Sequence, residues 1–172
     1  MKIWVSPLSQ VHDVAAREKP ARLVSLLSPG DVFPQVEGLD DPHAHRIAAH
    51  DVREETPGLT APHGDHVTGL ISFLEGWSPA ETLVVHCWAG VSRSTATAFI
   101  AACLHNPQAD ETEIAQAIRA ASPTASPNTR IVEFADEALG RRGRMRAAVD
   151  AIGAPEPTIE AVPFSIPSRF GE

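Results

Sequence analysis

Thr82-Leu83-Val84-Val85-His86-Cys87-Trp88-Ala89-Gly90-Val91-Ser92-Arg93-Ser94 is the stretch that decides the fold. It begins as an apolar, β-branched run of the kind found in strands buried on both faces. It ends in small residues that lead into a helix-favouring run. Between the two stand a cysteine, five residues and an arginine. That layout is a strand, a tight anion-binding loop and a helix N-terminus.

The chemistry follows from the residue types. Cys87 sits just ahead of a predicted helix, whose dipole favours the thiolate over the thiol. Arg93 adds a fixed positive charge and can hold two phosphate oxygens in a fork. The five intervening residues, Trp88, Ala89, Gly90, Val91 and Ser92, suffice for the backbone to curl round an anion with its N–H groups inward. Gly90 permits left-handed backbone angles at the middle of the turn. Ser94 can donate to the sulfur and help the thiolate leave. His86 is expected to orient the loop through hydrogen bonds rather than to act as a base. His86, Cys87, Gly90, Arg93 and Ser94 together arise by composition alone on the order of once in ten million sites, so the pattern is not accidental.

Length and composition bound the rest. A chain of 172 residues is one domain by default and can bury a substantial core. The formal net charge of −8 leaves no basic stripe to neutralise a nucleic-acid backbone, so no nucleic-acid partner is expected. No apolar run approaches the ~20 residues of a membrane-spanning helix, so no membrane insertion is expected. The N-terminal residues lack a long apolar segment and a small-residue cleavage site, which gives a cytoplasmic expectation. Cys87 and Cys103 are the two cysteines, too few for a disulfide scaffold.

Along the chain, strands are expected at Ile3–Val5, Arg22–Leu27, Arg46–His50 and Leu83–Val85. Helices are expected at Leu8–Lys19, His63–Trp77, Ser92–His105, Asp110–Ala121, Thr129–Leu139 and Arg144–Ile152. Strands alternating with helices argue for an α/β domain with a central, mostly parallel sheet of four to five strands flanked by helices. Prolines 155, 157, 163 and 167 mark residues 153–172 as a tail, extended over the surface or disordered, after a domain at 1–152. Arg141, Arg142, Arg144 and Arg146 read as a solvated face or as partners for the chain's own carboxylates, with a docking patch as the alternative.

His86 to Ser94 resembles the signature of the cysteine-dependent protein tyrosine phosphatases, closest to their compact dual-specificity branch. Ile47-Ala48-Ala49-His50-Asp51 resembles the segment where that branch carries its general acid, and Ile118-Arg119 through Pro127-Asn128 resembles its arginine, proline and Pro-Asn pattern. The match spans about residues 3 to 139. The wording of the loop and the short chain are similar to a bacterial tyrosine phosphatase-like subgroup. The resemblance implies a tyrosine-phosphatase-like fold and a two-step, metal-independent hydrolysis without an organic cofactor. Cys87 would be the nucleophile, Arg93 the phosphate clamp, Ser94 the aid to the leaving thiolate and Asp51 the general acid. Asp65 competes for that last role, and Asp40 and Asp41 lie in a loop that can also approach.

None of the five loop residues is basic, which argues against highly phosphorylated substrates and for a monophosphate ester. The expected substrate is a phosphorylated protein, on tyrosine or on serine/threonine, or a small phosphate monoester. Two alternatives stand beside hydrolysis: a phosphate-binding pseudophosphatase, or another Cys-x5-Arg chemistry such as sulfur transfer or arsenate reduction. Cys103 reads as a small core residue, with a disulfide to Cys87 as the redox alternative. Trp88 packs under the loop or stands at the pocket rim.

Overall fold

The computed structural model describes residues 1–171. Five strands form one sheet: β1 (Lys2–Pro7), β2 (Arg22–Leu27), β3 (Ala44–Ala48), β4 (Leu83–Cys87) and β5 (Phe164–Pro167), in the order β3-β2-β4-β1-β5. The first four pair in parallel, and β5 runs antiparallel to β1 at the edge. Six helices accompany them: α1 (Val11–Glu18), α2 (Gly64–Glu75), α3 (Arg93–His105), α4 (Glu111–Ala121), α5 (Thr129–Ala138) and α6 (Arg144–Ala151).

The pleat of the strands sorts side chains between two cores. Ile3, Val5, Val24, Leu26, Leu83, Val85 and Cys87 face the larger core, built with α2 to α6. Leu23 and Val84 face the smaller one under α1, with Val11 and Val14. Both faces are covered, so the strands are apolar almost throughout, as parallel strands require. Cys87 therefore points to the multi-helix face. His86, one residue earlier, points to the other, where its Nε2 pairs with Ser25 Oγ at 2.7 Å across the β2–β4 register.

α3 is enclosed on all sides. Every residue from Arg93 to Cys103 is buried. The helix is enclosed by α2, α4, α5 and the sheet, and its Ala96, Ala98, Ala101 and Ala102 let those neighbours approach on all sides. The arginine run is likewise structural in large part. Arg141 is buried and donates to Glu111 Oε1 at 2.9 Å and to the Cys103 carbonyl at 2.6 Å. Arg144 also meets Glu111, and Arg146 pairs with Asp150 and Glu133.

The segment beyond residue 152 differs most from its sequence expectation. It runs extended, but it is tied into the domain and supplies β5 to the sheet. The Arg119 guanidinium clasps the carbonyls of Ile152, Gly153 and Ala154, together with that of Ala125. Asn106 donates to the Ser168 carbonyl at 3.0 Å and accepts from the Phe170 amide at 2.9 Å. Phe164 and Ile166 alternate into the core between prolines, a period-two signal too short to stand out in a proline-rich stretch.

His86 makes stability depend on pH. Burial is the main cause that lowers its pKa to about 4, against about 6.5 for a free imidazole. The unfolded chain therefore binds the proton first as pH falls. The contribution is intact above pH 6.5 and is lost progressively between about 6.5 and 4, reaching about 3 kcal/mol. Urea midpoints measured over that range fall more steeply for wild type than for His86→Gln; parallel curves would contradict this assignment.

Candidate active site

Four segments meet at the C-terminal edge of the parallel strands. β4 delivers Cys87, the loop 88–92 follows it, and α3 begins at Arg93. Beside them lies the loop after β3, which carries Asp51. Parallel strands place all these chain exits at one edge, the usual place for a site in an α/β sheet.

The loop is held from outside by its carbonyls. The Trp88 oxygen accepts from the Leu8 amide (3.1 Å), and Ala89 from Ala161 (2.9 Å). Val91 accepts from Ser126 (2.9 Å), and Ser92 from Asn128 (3.2 Å). Thr95 Oγ1 adds bonds to the Val91 and Ser92 carbonyls. The amides of residues 89–92 have no acceptor among the described residues. Carbonyls bonded to the surrounding chain and amides without acceptors, at the N-terminus of α3, are the arrangement that an anion nest requires. Gly90 is required at its turn. Its φ is +70°, and a Cβ there would stand 2.8 Å from the Pro7 nitrogen at the end of β1.

Arg93 lies beneath the nest, 4% exposed. Its Nη1 donates to the Ala49 carbonyl at 2.7 Å, which fixes the guanidinium plane. Its Nε–H is buried with no partner. A buried donor of a charged group needs an acceptor. Ser94 Oγ is 3.1 Å from Cys87 Sγ, close enough for its hydroxyl to donate to a thiolate. Cys87 itself is 1% exposed, at the foot of the loop.

Asp51 is brought to this loop. Its Oδ1 accepts from Ser92 Oγ (2.7 Å) and from Asn128 Nδ2 (2.8 Å). A cleft of about 330 Å³ is lined by Asp51, Val91 and Ser92, with Arg53, Ser126 and residues 155–158 on its other sides. Asp65 is exposed in the first turn of α2, where an acid suits the helix dipole, and it is not among the cleft-lining residues. Asp40 and Asp41 precede β3, at the opposite edge of the sheet, about 15 Å away along a five-residue strand. Trp88 is 52% exposed, at the rim rather than under the loop.

Cys103 is a core residue. Burial is the main cause that pushes its thiol pKa upward. It lies nine residues along α3 from Ser94, or about 13 Å, whereas a disulfide needs Cα atoms within about 7 Å. Both cysteines are free thiols in the structure. Among the described residues, no group of three or more His, Cys, Asp or Glu is arranged to hold a metal ion.

Sequence reasoning missed Asn128 as a member of the site. This buried residue joins three parts: its side chain reaches Asp51, its amide holds Ser92, and its Oδ1 caps α5 through Ile131 N. The Pro127-Asn128 pair was its only signal. The Ala49 carbonyl and the wall at 155–158 had none, because nothing local marks a backbone oxygen or a distant segment as part of a site.

No family model matches the chain, and no curated protein matches it. Solved structures do. Human DUSP28 superposes with a TM-score of 0.59 at 18% identity, over 88% of this chain and 95% of that one. The PTP-2 phosphatase of Cydia pomonella gives 0.59 at 20% identity, over 80% and 85%. The human tyrosine phosphatase-like serine/threonine/tyrosine-interacting protein gives 0.61 at 14% identity, over 81% and 91%. The chain has the compact fold of the cysteine-based dual-specificity phosphatases.

Proposed function

We propose that this protein hydrolyses phosphate monoesters through a cysteinyl-phosphate intermediate, acting on a phosphorylated protein. The observation that carries this is the nest itself. Its loop carbonyls are bonded to the surrounding chain, its amides lack acceptors among the described residues, and the buried Arg93 Nε lacks a partner, all on the segment that follows one buried thiol. A tetrahedral oxyanion satisfies every one of those donors at once.

The steps follow from the positions. The Cys87 thiolate forms a bond to phosphorus as the ester P–O bond breaks, and Asp51 gives its proton to the departing oxygen. Arg93 and the loop amides hold the equatorial oxygens, whose charge is spread in the transition state. Water then forms the new P–O bond and passes a proton to Asp51. The S–P bond breaks with Ser94 donating to the returning thiolate. Asn128 and Ser92 fix the Asp51 carboxylate over the loop. No step calls for a metal ion or an organic cofactor.

Loop composition supports the substrate class. The side chains at 88–92 carry no positive charge, so the pocket offers one clamp for one phosphate. The intact set of groups also favours turnover over phosphate binding by a pseudophosphatase. Recognition alone has no use for a serine 3.1 Å from the thiol or a carboxylate held beside the loop. An arsenate reduction relayed through a second cysteine has none to use, since Cys103 is buried in the core.

The assignment of the acid has a direct test. Asp51→Asn lowers kcat for an alkyl phosphate, a poor leaving group, by about 10²–10⁴-fold. It costs much less with p-nitrophenyl phosphate, whose leaving group needs little protonation. Asp65→Asn leaves both unchanged. The reverse pattern would give the role to Asp65.

A further inference from the structure

The chain beyond α6 crosses a cleft that adjoins the Cys87–Arg93 loop as a fixed strap. Pro155, Glu156, Pro157 and Thr158 line the same cleft as Asp51, Val91 and Ser92. The strap is anchored on both sides of that crossing. Arg119 holds the carbonyls at 152–154, the Glu156 amide donates to the Pro123 carbonyl at 2.9 Å, and the Ala161 amide donates to Ala89 in the loop itself. Prolines at 155 and 157 fix their own φ and stiffen the crossing further.

Glu156 is the charged side chain that this strap presents to the cleft. It is exposed and makes no ion pair among the described residues. The other charged groups lining the cleft are Asp51 and Arg53. Arg53 is tied to Ser126 Oγ at 3.0 Å, and it also lines the adjoining depression with Arg119 and Pro155. Arg93, below, is engaged by the phosphate once substrate is seated. The flank of a bound substrate that lies over the strap therefore faces a carboxylate, on a protein whose net charge is already −8.

We propose that Glu156 is a specificity-determining residue that selects phosphopeptides carrying a basic side chain beside the phosphorylated residue and disfavours those carrying acidic ones. This rests on the phosphatase reading of the nest. A carboxylate a few ångströms from a substrate charge, in a solvent-open cleft, changes the rate by a few-fold per unit charge, and salt weakens the effect. A charge reversal doubles the change in field at the same place.

The experiment compares two phosphotyrosine peptides identical except for lysines or glutamates flanking the phosphotyrosine, with p-nitrophenyl phosphate as the control that has no flanking residues. Wild type is expected to favour the lysine peptide in kcat/KM by about fivefold at low salt, with the preference shrinking as salt rises. Glu156→Gln brings the ratio close to one, and Glu156→Lys inverts it. The control rate stays within about twofold in both variants, because p-nitrophenyl phosphate has no flank to meet the strap. An unchanged peptide ratio in Glu156→Lys, with the control rate intact, overturns the role of Glu156 alone. Absence of turnover of all three substrates by wild type overturns the phosphatase reading and this proposal with it.

Discussion

Cys87→Ser is expected to abolish turnover of p-nitrophenyl phosphate, by about 10⁴-fold or more, while inorganic phosphate still binds. The substitution is nearly isosteric at a site 1% exposed, so the fold and the nest are kept. Only the nucleophile changes. A serine hydroxyl is a far weaker nucleophile than a thiolate unless a base removes its proton, and no base stands beside it. His86, the adjacent imidazole, points to the opposite face of the sheet and is engaged with Ser25. Arg93 and the loop amides are untouched, so phosphate affinity survives. Residual activity within tenfold of wild type would mean that another group attacks phosphorus.

Arg93→Lys has the second largest expected effect, a fall of about 10²–10³-fold in kcat/KM. The charge is kept, so the loss measures geometry. The guanidinium uses Nη1 to hold the Ala49 carbonyl, and its buried Nε has no partner, so in the proposed mechanism Nε is the donor left for the phosphate. A lysine ammonium is a point charge without that fork; it cannot hold the carbonyl and two phosphate oxygens together. Phosphate binding weakens as well, in contrast to Cys87→Ser. A rate within a few-fold of wild type would show that the loop amides alone stabilise the transferring phosphoryl group.

What could be read from sequence was whatever chemistry forces on neighbouring residues. The strand-loop-helix unit was legible because a β-branched run, a turn glycine and a small-residue helix must follow one another in fixed order round an anion. The nucleophile, the clamp and Ser94 therefore came from one short stretch. Asp51 was legible only by resemblance, since a general acid approaches through space and nothing near it in sequence marks it. The structure sets its carboxylate against Ser92 and Asn128, beside the loop. β5 was missed because four residues between prolines carry little pattern, and its pairing partner β1 lies at the other end of the chain. The strap at 155–158 was missed for the same reason: proline content describes local stiffness, and the destination of a stiff segment is set by distant hydrogen bonds. Asn128 lay in a turn that composition describes only as a turn, yet it links the acid, the loop and α5.

The covalent intermediate is the step that separates this mechanism from direct attack of water on the ester. Mixing wild type with ³²P-labelled aryl phosphate and quenching in acid during turnover is expected to leave label on the protein, and peptide mapping is expected to find it on Cys87. Cys87→Ser carries none. Turnover by wild type without any labelled enzyme, or label on a histidine or a serine, would contradict the central claim.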